Sequence, residues 1–174
     1  MQAAPLADDN YDICVEPLTG AVGCEIRGID VANLTADEFA QVYQAFLEYC
    51  VVLLHDQELT QEQFGEFGKR FGKLEDEPFL PTKTDVPGVY YFRGAPANAK
   101  SLSTQKLGWH ADHTYLPNPT KAAMLYAVDV PPAGGDTLFA NSYLAYEALS
   151  PAMQAFLEDK VAEHDVLWYG LKSG

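Results

Sequence analysis

Cysteine, basic charge and long apolar runs are all scarce in this chain of 174 residues. Its three cysteines, Cys14, Cys24 and Cys50, are odd in number, far apart and form no CxxC pair. That excludes a disulfide framework or zinc knuckle and fits a reducing cytoplasm. Lys and Arg total 11 against 25 Asp and Glu, a formal net charge of −14. A phosphate backbone would be repelled by such a surface, so nucleic acid is not an expected partner. The acidic residues are dispersed, apart from Glu75-Asp76-Glu77, and read as a solubility feature. The longest apolar stretch, "CVVLL" at 50–54, is too short to span a bilayer, so no membrane role is expected. The first residues, "MQAAPLADDNYD", offer neither the basic flank nor the apolar run of a signal peptide. We expect residues 1–15 to be flexible.

What remains is ordinary globular composition, 48% hydrophobic with ten Tyr and nine Phe, long enough for one domain with a core. No repeat or low-complexity stretch interrupts it. "CEIRGIDV" (24–31) alternates and predicts a strand. "LTADEFAQVYQAFLEY" (34–49) predicts a helix capped by Thr35 or Asn33, with Phe39, Val42, Tyr43, Phe46 and Leu47 on its apolar stripe. "CVVLLHD" predicts a short buried strand. "LTQEQFGEFGKRFG" (59–72) predicts a second helix, capped by Thr60 with Gln63 three residues on, ended by Gly72, and packing Phe64, Phe67 and Phe71 into core.

Beyond residue 75 the chain turns β-rich. "PGVYYFRG", "WHADHTY", "AAMLYAVDV" and "DTLFANS" are short runs punctuated by Pro and Gly. "NSYLAYEALSPAMQAFLEDK" returns to helix, broken at Ser150-Pro151, and "VAEHDVLWYG" predicts another strand. The order predicts a mainly β fold with flanking helices, an α+β domain built on a sandwich, jelly roll or barrel.

"GWHADHTYLP" (108–117) carries the chemistry. If it lies on a strand, His110 and Asp112 share a face and His113 points the other way. An imidazole and a carboxylate so placed supply two of the three ligands of a 2-His-1-carboxylate Fe(II) site. On spacing alone, His-x-Asp is a weak signal, and a surface His beside a turn Asp is the better explanation of the pair.

Three blocks set that pair in context: "WHADHTY", the Gly134–Phe139 run "GGDTLF", and "FGKRFGKLEDEP" near the front. Together they resemble the taurine dioxygenase/2,4-D dioxygenase (TauD/TfdA) family of Fe(II)- and 2-oxoglutarate-dependent oxygenases, over about Glu16 to Asp165. The resemblance implies a double-stranded β-helix of the clavaminate-synthase type, here as an N-terminal portion incomplete at the C-terminus. It implies His110 and Asp112 as iron ligands and Thr137 as the hydroxyl that binds a carboxylate of 2-oxoglutarate, presented by a tight turn at Gly134 and Gly135. Trp109 would pack beside the site, and His113 would be a supporting or exposed residue. The reaction implied consumes O2 and 2-oxoglutarate, releases succinate and CO2, and hydroxylates a small organic substrate. An aspartate at 112 argues for oxygenation, because halogenating relatives replace that carboxylate.

The pattern departs from the family in places. Its second iron-binding His and its carboxylate-pairing Arg belong to a C-terminal part. Here the last arginine is Arg93, and beyond the GGDTLF block the only histidine is His164 and the only basic residues are Lys160 and Lys172. His164, in "AEHDV", is expected to be a strand residue rather than a third ligand, and a lysine is a poorer carboxylate fork than an arginine. Glu77 and Lys106 stand where the taurine enzyme has a pocket His and Asn, so taurine itself is not expected. Glu77, Lys106 and Tyr91 are candidate pocket residues, with Lys106 suited to an anionic group. A homo-oligomer stays open. The alternative is a non-catalytic remnant that binds a partner through unclosed sheet edges.

Overall fold

The computed structural model describes residues 13–76, 84–91, 109–130, 132 and 136–165. The chain divides into two compact units, Met1–Leu59 with Ala127–Lys160, and Thr60–Tyr126 with Val161–Gly174.

The first unit is built on three strands in the order β1-β2-β3. Strands β1 (Cys14–Pro17) and β2 (Cys24–Arg27) form an antiparallel hairpin, with Cys14 opposite Arg27 and Pro17 opposite Cys24. The start of β1 lies inside the stretch expected to be flexible: Cys14 and Val15 are paired residues of the sheet. Thr19 shapes the turn, its hydroxyl accepting from the amides of Ala21 and Val22 at 3.1 and 2.9 Å. Gly23, with φ +90°, returns the chain into β2 in a conformation that only glycine adopts without strain.

Strand β3 (Val52–Leu54) runs parallel to β2. Parallel neighbours need a long crossover, and helix α1 (Ala36–Tyr49) supplies it. Its start follows from local chemistry. Thr35 accepts from the Glu38 amide at 3.2 Å while the Glu38 carboxylate accepts from the Thr35 amide at 2.7 Å, a reciprocal capping box. Thr35→Ala should therefore cost about 1 kcal/mol, read as a lower urea midpoint at unchanged slope. An unshifted midpoint would show that α1 is held by packing alone. The helix ends at Cys50, whose left-handed φ of 65° lets its amide donate to the Phe46 carbonyl at 2.9 Å.

The core of this unit is Cys24 and Ile26 of β2, Val31 beyond it, and Val42 and Ala45 of α1. Both faces of β2 are covered, so Glu25 is also buried, its carboxylate paired with Arg27 and, at 2.7 Å, with His55 Nε2. The expected stripe of α1 holds for Val42, whereas Leu47 is 56% exposed. Gln57 ties the two strand exits together. Its carboxamide accepts from the Val31 amide at 2.9 Å and donates to the Ile29 carbonyl at 3.1 Å.

The later part of this unit carries α3 (Ser142–Glu147) and α4 (Pro151–Leu157). The break between them falls at Ser150-Pro151, where Ser150 caps α4 and Pro151 takes the first turn, whose amides need no partner within the helix. Asn141 caps α3 and also donates to the Ala21 carbonyl at 2.8 Å. Neither helix buries a side chain.

The second unit is organised on α2 (Gln61–Lys69), capped by Thr60 and Gln63 in the same reciprocal way. Phe67 is buried and meets Phe71 edge-on at 5.4 Å, while Phe64 packs against Tyr126 at 5.9 Å. Gly68 lets two side chains approach the helix closely. A Cβ there would stand 2.8 Å from Leu74 and 2.9 Å from Met124.

Among the described residues, helix outweighs strand, and the strands expected at "WHADHTY", "AAMLYAVDV" and "DTLFANS" are absent. In the described part of "PGVYYFRG", residues 87–91, only Tyr90 makes a β-bridge, and the described half of "VAEHDVLWYG" is irregular. Within the described residues the expected α+β fold is seen as a small mixed sheet with helices. Strand-forming composition becomes strand only when another edge hydrogen-bonds to it, and these segments have no such edge among the described residues.

Candidate metal and co-substrate site

His110 and Asp112 lie in the second unit and Thr137 in the first. His110 and Asp112 are not on a strand: residues 112–115 form a turn, closed by the Leu116 amide donating to the His113 carbonyl at 2.9 Å. The turn still brings the pair together, with His110 Nε2 3.4 Å from Asp112 Oδ1. Their side chains are 63% and 51% exposed, so solvent and small solutes reach both donors.

His113 does diverge, for a different reason from strand alternation. Its φ of 54° is left-handed, a conformation that costs a residue with a Cβ about 1–2 kcal/mol. The ring turns to Thr120, with Nδ1 2.5 Å from its hydroxyl, and meets the Tyr115 ring edge-on at 5.8 Å. Thr114, the next residue, has its hydroxyl 2.7 Å from Nδ1 of His164. His164 is therefore an exposed loop residue beside the turn rather than a strand residue. Neither histidine–threonine pair was legible from spacing, since the second joins residues 50 apart.

Trp109, expected to pack beside the site, is 72% exposed. Thr137 sits in an exposed irregular segment, 136–140. Tyr91 accepts a hydrogen bond on its hydroxyl from the Gln61 carboxamide at 2.5 Å, which ties it to the first turn of α2. Glu77, Lys106, Gly134 and Gly135 lie outside the described residues.

The donor chemistry fits part of an iron site. Ligands cis to each other on a metal, each about 2.1 Å away, lie about 3 Å apart, and the His110–Asp112 spacing is close to that. Among the described residues no group of three His, Cys, Asp or Glu side chains converges. The pair thus provides one nitrogen and one oxygen of a facial triad. Cys24 is no thiolate candidate, because burial pushes its thiol up to about 11.

The profile of the taurine catabolism dioxygenase TauD, TfdA family matches residues 15–172, and the chain belongs to that family. It is 32% identical over 160 residues to an (S)-phenoxypropionate/alpha-ketoglutarate-dioxygenase of Sphingobium herbicidovorans, covering 92% of this chain and 56% of that one. An alpha-ketoglutarate-dependent sulfate ester dioxygenase of Pseudomonas putida is 30% identical, with 93% and 52% covered. Among solved structures, a taurine dioxygenase from Burkholderia xenovorans superposes with a TM-score of 0.71 at 36% identity, covering 84% of this chain and 51% of that one. AAD-2, solved in complex with Mn(II) and N-oxalylglycine, gives 0.68 at 29% identity, covering 93% of this chain and 56% of that one. The chain spans about half the length of these relatives. No described helix is long and apolar enough to cross a membrane.

Proposed function

We propose that the chain forms part of a non-haem Fe(II)- and 2-oxoglutarate-dependent dioxygenase that hydroxylates a small anionic organic molecule. One observation carries this reading: in a chain matched to the family over residues 15–172, His110 and Asp112 converge at 3.4 Å, near the spacing of cis ligands. In this reading His110 and Asp112 hold the iron, and the Thr137 hydroxyl donates to a carboxylate of 2-oxoglutarate. Bound iron would supply the activation of O2 that lets 2-oxoglutarate decarboxylate to succinate and CO2 as a substrate C–H bond is hydroxylated. The protein's part is to hold these two donors on one side of a turn; with a third protein ligand completing the triad, the remaining positions would go to 2-oxoglutarate and O2, with the substrate beside them. The jelly roll belongs to this proposal, as does the cytoplasm, which suits three unpaired cysteines.

The substrate class follows from charge. The relatives are named for phenoxypropionate and sulfate esters, both of which present an anion. Lys106 would meet that anion, while Tyr91, pinned by Gln61, and Glu77 line the same pocket. Anaerobic titration of the intact protein with Fe(II) and then 2-oxoglutarate should develop a weak visible charge-transfer band, followed by O2-dependent succinate release. No band and no succinate at saturating iron would overturn the proposal.

A second reading is favoured by the apolar surface of residues 136–160, where Leu138, Tyr143 and Phe156 are 73%, 74% and 61% exposed. Exposed apolar side chains of this size are what a binding face would use. In that reading the chain is a non-catalytic binding module, and it would bind a partner while failing the iron titration.

A further inference from the structure

The turn that carries His110 and Asp112 is shaped locally by the His113–Thr120 bond and the His113–Tyr115 ring contact. Its metal-side residues His110 to Asp112 are exposed while 113–115 are half-buried; it contains a left-handed His113 with φ 54°, and a local backbone bond from Leu116 to His113 closes it. A strained, solvated turn populates several conformations, and only some keep two donors near 3 Å. Metal affinity is reduced in proportion to the fraction of time the competent arrangement is present. Whatever fixes this turn therefore acts on the metal without touching it.

The structure puts a side chain from far along the chain in that role. Thr114, two residues after Asp112, has its hydroxyl 2.7 Å from Nδ1 of His164, 50 residues on. A local bond such as His113 to Thr120 shapes the turn but moves with it. A bond to a distant segment fixes it within the fold. Both of these residues belong to the second compact unit.

We propose that His164 is a positioning residue of the metal site, acting through Thr114 to hold the 110–114 turn in the geometry that presents His110 and Asp112 together. This rests on the iron reading above, but the clamp itself is a property of the metal-free protein. Neither side chain coordinates metal in this proposal. An asparagine at 164 could replace the bond in either direction, because its carboxamide can place Oδ1 or Nδ2 close to where Nδ1 of His lies, and the Thr114 hydroxyl can donate or accept.

The test uses the intact protein and four variants: His164→Ala, Thr114→Val, their combination, and His164→Asn. Backbone hydrogen exchange over residues 110–116, measured without metal, should be about 3- to 10-fold faster in each of the first two variants. The double variant should show no further increase, since both substitutions remove the same bond. Exchange in α1 should not change. Binding of Co(II) alone, followed by its visible absorption, should weaken about 10-fold in His164→Ala and in Thr114→Val, and recover in His164→Asn.

Unchanged exchange and affinity in His164→Ala would overturn the clamp. Loss of all Co(II) binding in His164→Ala and His164→Asn, with Thr114→Val unaffected, would also overturn it in favour of direct ligation by His164. If the wild-type protein binds no Co(II), the iron reading fails, while the exchange data still decide whether the clamp exists.

Discussion

Replacing His110 by alanine should lower Fe(II) affinity and 2-oxoglutarate turnover by more than about 100-fold. Substitutions that only support a ligand already cost metal sites about 10- to 100-fold, so removal of a ligand must cost more. The fold should not notice. The His110 side chain is 63% exposed, and exposed positions usually change stability by within about 0.5 kcal/mol. The informative contrast is His113→Ala. His113 has the same chemistry three residues away, but its ring is held by Thr120 and Tyr115. Its loss should reduce affinity modestly, through the shape of the turn. Equal losses in the two variants, measured by Fe(II) titration at matched far-UV circular dichroism, would remove the distinction between ligand and support on which the site assignment stands.

Ile26→Ala should be the most destabilising of the core truncations, by about 2–5 kcal/mol. Ile26 is 1% exposed on the central strand, with β1 on one side and β3 on the other. Truncation there leaves a void lined by strands that hydrogen bonds hold apart, so little collapse can refill it. Against a typical total of 5–15 kcal/mol, that is a large share. Leu47→Ala provides the comparison. Leu47 falls on the same predicted stripe as Val42 but is 56% exposed, and its truncation should move the urea midpoint little. Similar shifts for Ile26→Ala and Leu47→Ala would mean that the core lies elsewhere than between β2 and α1.

These two experiments probe links of different legibility. The helix starts were readable because a capping box is a transaction within four residues. Thr35 with Glu38 and Thr60 with Gln63 sit where the pattern puts them. The break at Ser150-Pro151 was readable for the same reason. The stripe of α1 was readable only in part. A period of 3.6 says which residues share a side, whereas the width of the contact depends on what the helix meets. The helix α1 and the two strands that flank it followed from alternating and continuous apolar runs, whereas their parallel pairing was seen only in the structure. The hairpin strand β1 was missed, because Cys14–Pro17 has no apolar alternation and owes its extended form to Arg27, Ile26, Glu25 and Cys24 opposite it.

The sequence by itself determined the family, the His110-x-Asp112 pair, the helix caps and the acidic, cysteine-poor character of the chain. All of these are local patterns or plain composition. Only the tertiary structure decided that a turn rather than a strand presents the pair, that His113 turns to Thr120, and that His164 reaches Thr114. The physical reason is range. A cap or a motif is complete within a few residues, and its chemistry is fixed by their identity. A strand, a burial pattern or a hydrogen bond across 50 residues exists only when chain that is distant in sequence arrives to complete it.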